Sequence, residues 1–108
     1  MDDKHRNSLK ENRVALKRDL EPPQLLSHLT DVLSDTDIED IKAKDNRVKQ
    51  SDLLLDILPR RGQKAFGSFV NALLNVKGQN HLASLLIKQS GKIFFLGLTF
   101  SFSVVGNN

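Results

Sequence analysis

Residues 52–70, DLLLDILPRRGQKAFGSFV, determine the fold class of this chain. The segment opens with a nearly continuous apolar run, which Pro59 and Gly62 end. By length this run could be a buried strand or a helix, and its shortage of β-branched residues and its helical neighbours favour a helix. A second apolar stripe follows at the i, i+3, i+4, i+7 and i+8 spacing of one helix face. Its members are Phe66, Phe69, Val70, Leu73 and Leu74.

Four further segments space their apolar residues in the same helical way, between prolines, glycines and polar turns. Their apolar positions are Leu9, Leu16 and Leu20; then Leu25, Leu26, Leu29, Val32 and Leu33; then Ile38 and Ile41; and finally Leu82, Leu85 and Leu86. Thr36 and Glu39 have the spacing of a capping box and predict the start of the third helix. The chain is therefore predicted to be all-α, a six-helix antiparallel bundle whose apolar stripes form the core.

The end of the chain has a different pattern. Residues 93–105 are uncharged and hold four of the six phenylalanines, and their later half alternates apolar and small polar residues. This stretch of 13 residues falls short of the roughly 20 that a membrane-spanning helix needs. We expect a domain at residues 1–89 and, at residues 90–108, an apolar tail that is unstructured or foreign to it. A membrane-touching tail is the alternative.

Charge is segregated along the 108 residues, a length that fits one domain. The formal net charge is +3, but residues 21–45 carry seven acidic and two basic side chains, whereas residues 46–92 carry eight basic and two acidic ones. An acidic middle between basic flanks suits a protein whose surfaces attract complementary surfaces. A small nucleic-acid-binding domain is the alternative, but the acidic middle would repel phosphate and the apolar fourth helix lacks the residues of a recognition helix.

No constellation of residues in the sequence indicates catalysis. His5, His28 and His81 are far apart and have no motif partners, and the chain contains no cysteine. The carboxylates of residues 35–40 lie along one helix, where helix-start electrostatics account for them. We expect no enzyme, no metal and no cofactor. The charged start of the chain argues against a signal peptide, so we expect a cytoplasmic protein, with the nucleus as an additional compartment.

Several of these residues together resemble the caspase-recruitment domain of the death-fold superfamily. The strongest likeness is in residues 52–69, where proline, glycine and phenylalanine stand at fixed offsets around a bend between helices. Residues 12–20, 25–29 and 81–86 are also similar, and the resemblance covers about residues 4–88. It is particularly clear for the domains of caspase-2 and of the CRADD/RAIDD adaptor. It implies a six-helix Greek-key bundle, often with a kinked first helix.

The resemblance also implies an interface between two such domains, in which a basic patch on the first and fourth helices of one meets an acidic patch on the second and third helices of another. The basic positions here would be Lys10, Arg13, Lys17, Arg18, Arg47 and Lys49. The acidic positions would be Asp31, Asp35, Asp37, Glu39 and Asp40. Glu11 and Asp52 depart from this pattern, because they place acid near the basic patch.

The function implied is a homotypic interaction module that regulates apoptosis. Its expected partner is a domain of the same kind, in a CRADD/RAIDD-like adaptor or a caspase-2-like initiator caspase, and self-association is a further expectation. A prodomain without its protease would compete for an adaptor or help to recruit it. An adaptor that nucleates a signalling complex and a regulator tethered to membranes by its tail are the alternatives.

Overall fold

The computed structural model of the protein describes residues 1–90, with side chains for residues 1–87. Within that range the chain forms seven α-helices and no strand. The helices are α1 (Asp3–Glu11), α2 (Arg13–Asp19), α3 (Pro22–Leu25), α4 (Asp35–Lys42), α5 (Arg47–Ile57), α6 (Lys64–Asn75) and α7 (Asn80–Ser90). The predicted all-α bundle is confirmed. Residues 91–108, nearly all of the predicted tail, lie outside the described range.

The predicted first helix is divided at Asn12, which accounts for seven helices instead of six. Asn12 leaves helical geometry, with φ −100° and ψ 11°. Its side-chain amide donates to the Ser8 carbonyl at 2.9 Å. The Ser8 carbonyl also accepts from the Asn12 backbone amide at 3.1 Å, so the side chain is a second donor to this carbonyl at the point where the helix is interrupted. α1 consequently packs against α7, whereas α2 packs against both α5 and α7.

The predicted second helix is shorter than the pattern of its leucines indicated. α3 has four residues and continues into a 3₁₀ turn at Leu26–His28, after which the chain turns toward α4. Residues i and i+3 of a 3₁₀ turn lie on one edge. Leu26 and Leu29 therefore face the core together, and both are buried.

The prediction that Thr36 and Glu39 form the capping box of the third helix is wrong. α4 begins two residues earlier, where the Ser34 hydroxyl accepts from the Asp37 amide and the Asp37 carboxylate accepts from the Ser34 amide, both at 3.1 Å. This reciprocal pair satisfies two amides that the first turn would otherwise leave unbonded. Asp35 is therefore the first residue of α4. The position of Ser34 as the N-cap decides where along the helix its carboxylates lie.

α5 lies at the centre of the bundle and contacts α2, α3 and α4. A second 3₁₀ turn at Leu58–Arg60 and Gly62, which has φ +94°, then redirect the chain into α6. A positive φ favours glycine because it has no Cβ to clash. The predicted stripe of α6 is buried apart from Leu74, which is 43% exposed. The largest fully buried side chains are Phe66, Phe69, Leu16, Leu20, Leu25, Leu29, Ile41, Leu54, Leu58, Leu73, Leu82 and Leu86.

Candidate protein-interaction surfaces

Four of the five predicted acidic residues form an exposed surface on α4 and the turn that precedes it. Ile41 is buried and Ile38 is half-buried, so one side of α4 faces the core and the opposite side faces solvent. The acidic surface, as we define it, consists of Asp31, Asp35, Glu39 and Asp40. Among the described residues, none of these four forms an ion pair. Asp31 accepts a hydrogen bond from the Ser68 hydroxyl of α6 at 2.8 Å.

Asp37, the fifth predicted acidic residue, is placed differently. It is 6% exposed, and its two carboxylate oxygens accept from the Arg61 guanidinium at 2.7 and 2.8 Å. The hydrogen bond from Arg61 and the one from the Ser34 backbone lower the pKa of Asp37 to about 2, against the opposing effect of burial. Asp37 thus joins α4 to the segment before α6, and it supports the acidic surface from beneath.

The basic residues of α2 are joined to α5 by ion pairs within the domain. Arg13 Nη2 lies 2.5 Å from Asp52 Oδ1 and 3.0 Å from Asp56 Oδ1, and Lys17 Nζ lies 3.4 Å from Asp52 Oδ1. The hydrogen bond between Arg13 and Asp52 raises the pKa of the guanidinium and lowers the pKa of the carboxyl. We call Lys10, Arg13, Lys17 and Lys49 the basic surface, since they lie around these two aspartates.

Two shallow grooves in the basic surface are each lined by aspartate as well as by basic side chains. One groove is lined by Lys10 and Arg13 together with Asp56. The other is lined by Lys49 together with Asp52 and Asp56. Asp56 therefore lies between the two groups of cations, and neither groove is lined by basic side chains alone.

Three further predicted basic residues, Arg18, Arg47 and Lys49, also have acidic partners. Arg47 donates to the carbonyls of Arg18 and Leu20 at 2.6 and 3.0 Å, and it approaches Glu21 at 3.9 Å. A cation that bonds the last carbonyls of a helix stabilises that helix end, and Arg47 does so for α2. Arg18 pairs with Asp19, and Lys49 pairs with Asp45 one helical turn away. Of the six predicted basic residues, Lys10 alone has no acidic partner within the described part of the chain.

The sequence reasoning missed two residues of these surfaces, Asp56 and Arg61. Asp56 stands four residues after Asp52 on a helix, and that spacing places both carboxylates on one face. This signal was available in the sequence. Arg61 gave no such signal, because it lies 24 residues from Asp37 in the chain and meets it through the packing of α4.

A metal site and a membrane-spanning helix are both absent from the part of the chain that the structure describes. No three His, Cys, Asp or Glu side chains of this part are grouped so that they could hold a metal ion. None of its helices is both long and apolar enough to cross a bilayer. His81 Nε2 lies 3.1 Å from Asp19 Oδ2 at the surface, and the ring of His5 stacks on Phe66 with centroids 4.0 Å apart.

A helical bundle with an acidic surface on one helix and a basic surface on others defines a class, the small all-α protein-interaction domains. The chain belongs to the caspase recruitment domain family, whose model matches residues 6–89. It is 36% identical to caspase-2 of Gallus gallus over 91 residues, which are 82% of this chain and 21% of that protein. It is 34% identical to apoptotic protease-activating factor 1 of Mus musculus over 93 residues, or 84% of this chain and 7% of that protein. The chain thus spans a small part of each relative.

Proposed function

We propose that this domain regulates apoptosis by binding another caspase recruitment domain, in a CRADD/RAIDD-like adaptor or a caspase-2-like initiator caspase. The names of two relatives, a caspase and an apoptotic protease-activating factor, support the apoptotic setting. The observation that carries the proposal is the acidic surface, whose Asp35, Glu39 and Asp40 are exposed and have no cationic partner among the described residues. A folded domain that presents unpaired carboxylates on one rigid helix suits a partner with a basic surface.

The contact would be heterologous, because the acidic surface of one domain meets a basic surface on the next. Heterologous contacts generate rings or helical stacks instead of closed two-fold dimers. Each exposed ion pair contributes about 0–1 kcal/mol, so several must act together. Association in the micromolar range fits such a set of pairs, and it would weaken with salt.

The biological role proposed for the domain is binding without catalysis. A domain of this kind that acts without a protease domain would occupy adaptor sites and compete with the full-length protease for them. A nucleating adaptor is the second role that the same contact would serve. We place this activity in the cytoplasm, where the expected partners would meet it.

A charge-reversal binding experiment tests the proposal. Asp35→Lys/Asp40→Lys and, separately, Arg13→Glu are compared with the wild type in pull-downs with the recruitment domains of a CRADD-type adaptor and of caspase-2. We expect the acidic-surface variant to lose binding and to regain it when the basic residues of the partner are reversed. Asp2→Lys/Asp3→Lys is the matched control, because it makes the same change in net charge at the start of α1. Folded variants that all bind as the wild type does would refute the proposal.

A further inference from the structure

We infer that Asp52 and Asp56 close the basic surface from within, so that the domain binds its partners through the acidic surface alone. This inference rests on the proposed function and specifies which surface serves it. Asp52 and Asp56 are then residues that determine specificity, because they decide whether a partner's carboxylates reach Arg13. The partner that fits is a recruitment domain with an open basic surface, and a second copy of this chain does not fit.

Arg13 already has acceptors for its guanidinium within the domain. Its Nη2 atom has three acceptors within the domain: the carboxylates of Asp52 and Asp56, and the Asp52 backbone carbonyl at 3.2 Å. Lys17 shares the same Asp52 oxygen. The two strongest candidates for contact with an acidic partner therefore already have their countercharge.

The two carboxylates are held in place by the core. They stand one turn apart on α5, which has Leu54, Leu55 and Ile57 buried beneath it. A competitor that is built into the same domain acts at a high effective concentration. A partner carboxylate gains nothing at Arg13 unless it displaces one that is already positioned, and exposed ion pairs are too weak to favour that exchange.

The acidic surface, in contrast, has no cation paired with it in the described part of the chain. Asp35, Glu39 and Asp40 meet no cation among the described side chains, and Asp37, which is paired, lies beneath them. A partner's lysines and arginines can therefore pair with these carboxylates without displacing anything.

A domain that is open on one surface has a definite place in a heterologous assembly. Growth of such an assembly requires both surfaces of every member. This domain can attach to the end of a stack that presents a basic surface, and it offers the next member a surface on which Arg13, Lys17 and Lys49 are already paired. Self-association is suppressed for the same reason.

The test removes the internal competitors from the full 108-residue chain. Asp52→Asn/Asp56→Asn keeps the shape of both side chains, and sedimentation velocity over a range of concentrations reports self-association. We expect the wild type to remain monomeric and the variant to self-associate at least about tenfold more tightly. Asp2→Asn/Asp3→Asn carries the same change in net charge and should behave as the wild type.

Two further variants make the outcome specific. Adding Asp35→Lys/Asp40→Lys to the opened variant should abolish the new oligomers, because they need the acidic surface of a second copy. If the double variant does not fold, Asp56→Asn alone removes one acceptor and leaves the pairs of Asp52 intact, and it should self-associate to a smaller extent.

The inference is overturned if the folded Asn variants remain monomeric, or if the wild type already self-associates as strongly as they do. Partner binding measured with the same proteins separates this failure from failure of the proposed function. If the acidic surface is needed for partner binding and the opened variant stays monomeric, the inference alone fails. If partner binding ignores charge reversal on both surfaces, the proposed function fails.

Discussion

The acidic surface on α4 and the basic surface on α2 and α5 use the same kind of side chain, yet they differ in where their countercharges lie. Four of the five predicted acidic residues have no cationic partner in the described part of the chain, whereas five of the six predicted basic residues have an acidic one. A charged side chain that is paired within its own domain contributes to the stability of the fold. A charge without such a partner is available for binding.

This difference teaches that a count of charges along a sequence does not measure how much charge a surface can offer. Residues 46–92 carry a large excess of basic side chains, but their two acidic residues are Asp52 and Asp56, which lie where the cations of two helices meet. Two carboxylates at this position reduce the basic charge that is available for binding by more than the net count of charges indicates. The predictions below test the two surfaces separately.

Salt should produce the largest change. Partner binding through the acidic surface depends on exposed charges, and the Debye length falls from about 10 Å at 0.1 M salt to about 3 Å at 1 M. We expect the dissociation constant to rise on the order of tenfold over that range, measured by isothermal titration calorimetry. Urea unfolding in the same buffers is the control, since the apolar core is not screened. A binding curve that does not change with salt would contradict this prediction.

Substitution of Asp37 should remove the contacts that hold α4 in place beneath the acidic surface. Asp37→Ala removes the acceptor of the Ser34 amide and the partner of Arg61, while the Ser34 hydroxyl can still accept from the amide of residue 37. Loss of a single hydrogen bond costs about 1 kcal/mol. We expect the free energy of unfolding, measured with urea, to fall by at least that much. Asp37→Asn is the matched variant, because its amide oxygen can still accept from Ser34 while the ion pair is lost. Equal stability of the wild type and Asp37→Ala would show that α4 does not depend on this residue.

The pH dependence of stability follows from the same carboxyl group. The pKa of Asp37 is about 2 in the folded protein and near its ordinary value of about 3.9 in the unfolded chain. Between these values the unfolded state binds more protons, so stability falls as the pH falls. The stabilisation is fully present above about pH 5 and is lost toward pH 2. The difference in unfolding free energy between the wild type and Asp37→Asn should shrink over that interval, and a constant difference would be evidence against it.

The smallest effect is expected at Arg13. Arg13→Gln removes the contacts with Asp52 and Asp56, and pairs as exposed as these contribute about 0.5–1 kcal/mol to the free energy of unfolding. Partner binding should change by less than about twofold, because these contacts lie within the domain. Lys64→Gln is the control, as Lys64 is exposed and forms no ion pair with any described residue. Loss of partner binding in folded Arg13→Gln would reverse the roles of the two surfaces.

The fold class was predictable because burial of an apolar face depends on spacing, and spacing is visible in the sequence. The stripe from Phe66 to Leu73 is buried as its period indicates. The division of the first helix was not visible in the spacing, because it depends on the backbone conformation of one residue, Asn12, whose side-chain amide also bonds the Ser8 carbonyl. The start of α4 was misplaced by two residues, because Ser34 and Thr36 both fit a capping box and the sequence alone does not choose between them.

The candidate surfaces were less predictable than the fold. Charged side chains could be assigned to helices, but the assignment does not say which of them meet across the bundle. Arg13 and Asp52 are 39 residues apart in the chain, and Asp37 and Arg61 are 24 apart. Contacts over such separations are set by how helices pack, and a single sequence read alone holds little information about them.

The break at Asn12 also bears on how the domain opens locally. α1 packs against α7, and the Ser8 hydroxyl donates to the Leu86 carbonyl at 3.3 Å, whereas Arg13 and Lys17 on α2 pair with α5. Proteins open in cooperative units of unequal stability, and an interrupted helix need not open as one. In a hydrogen-exchange experiment, the amides of α1 should lose protection earlier than those of α2. Fraying at the start of the chain would then leave the pairing of Arg13 unchanged.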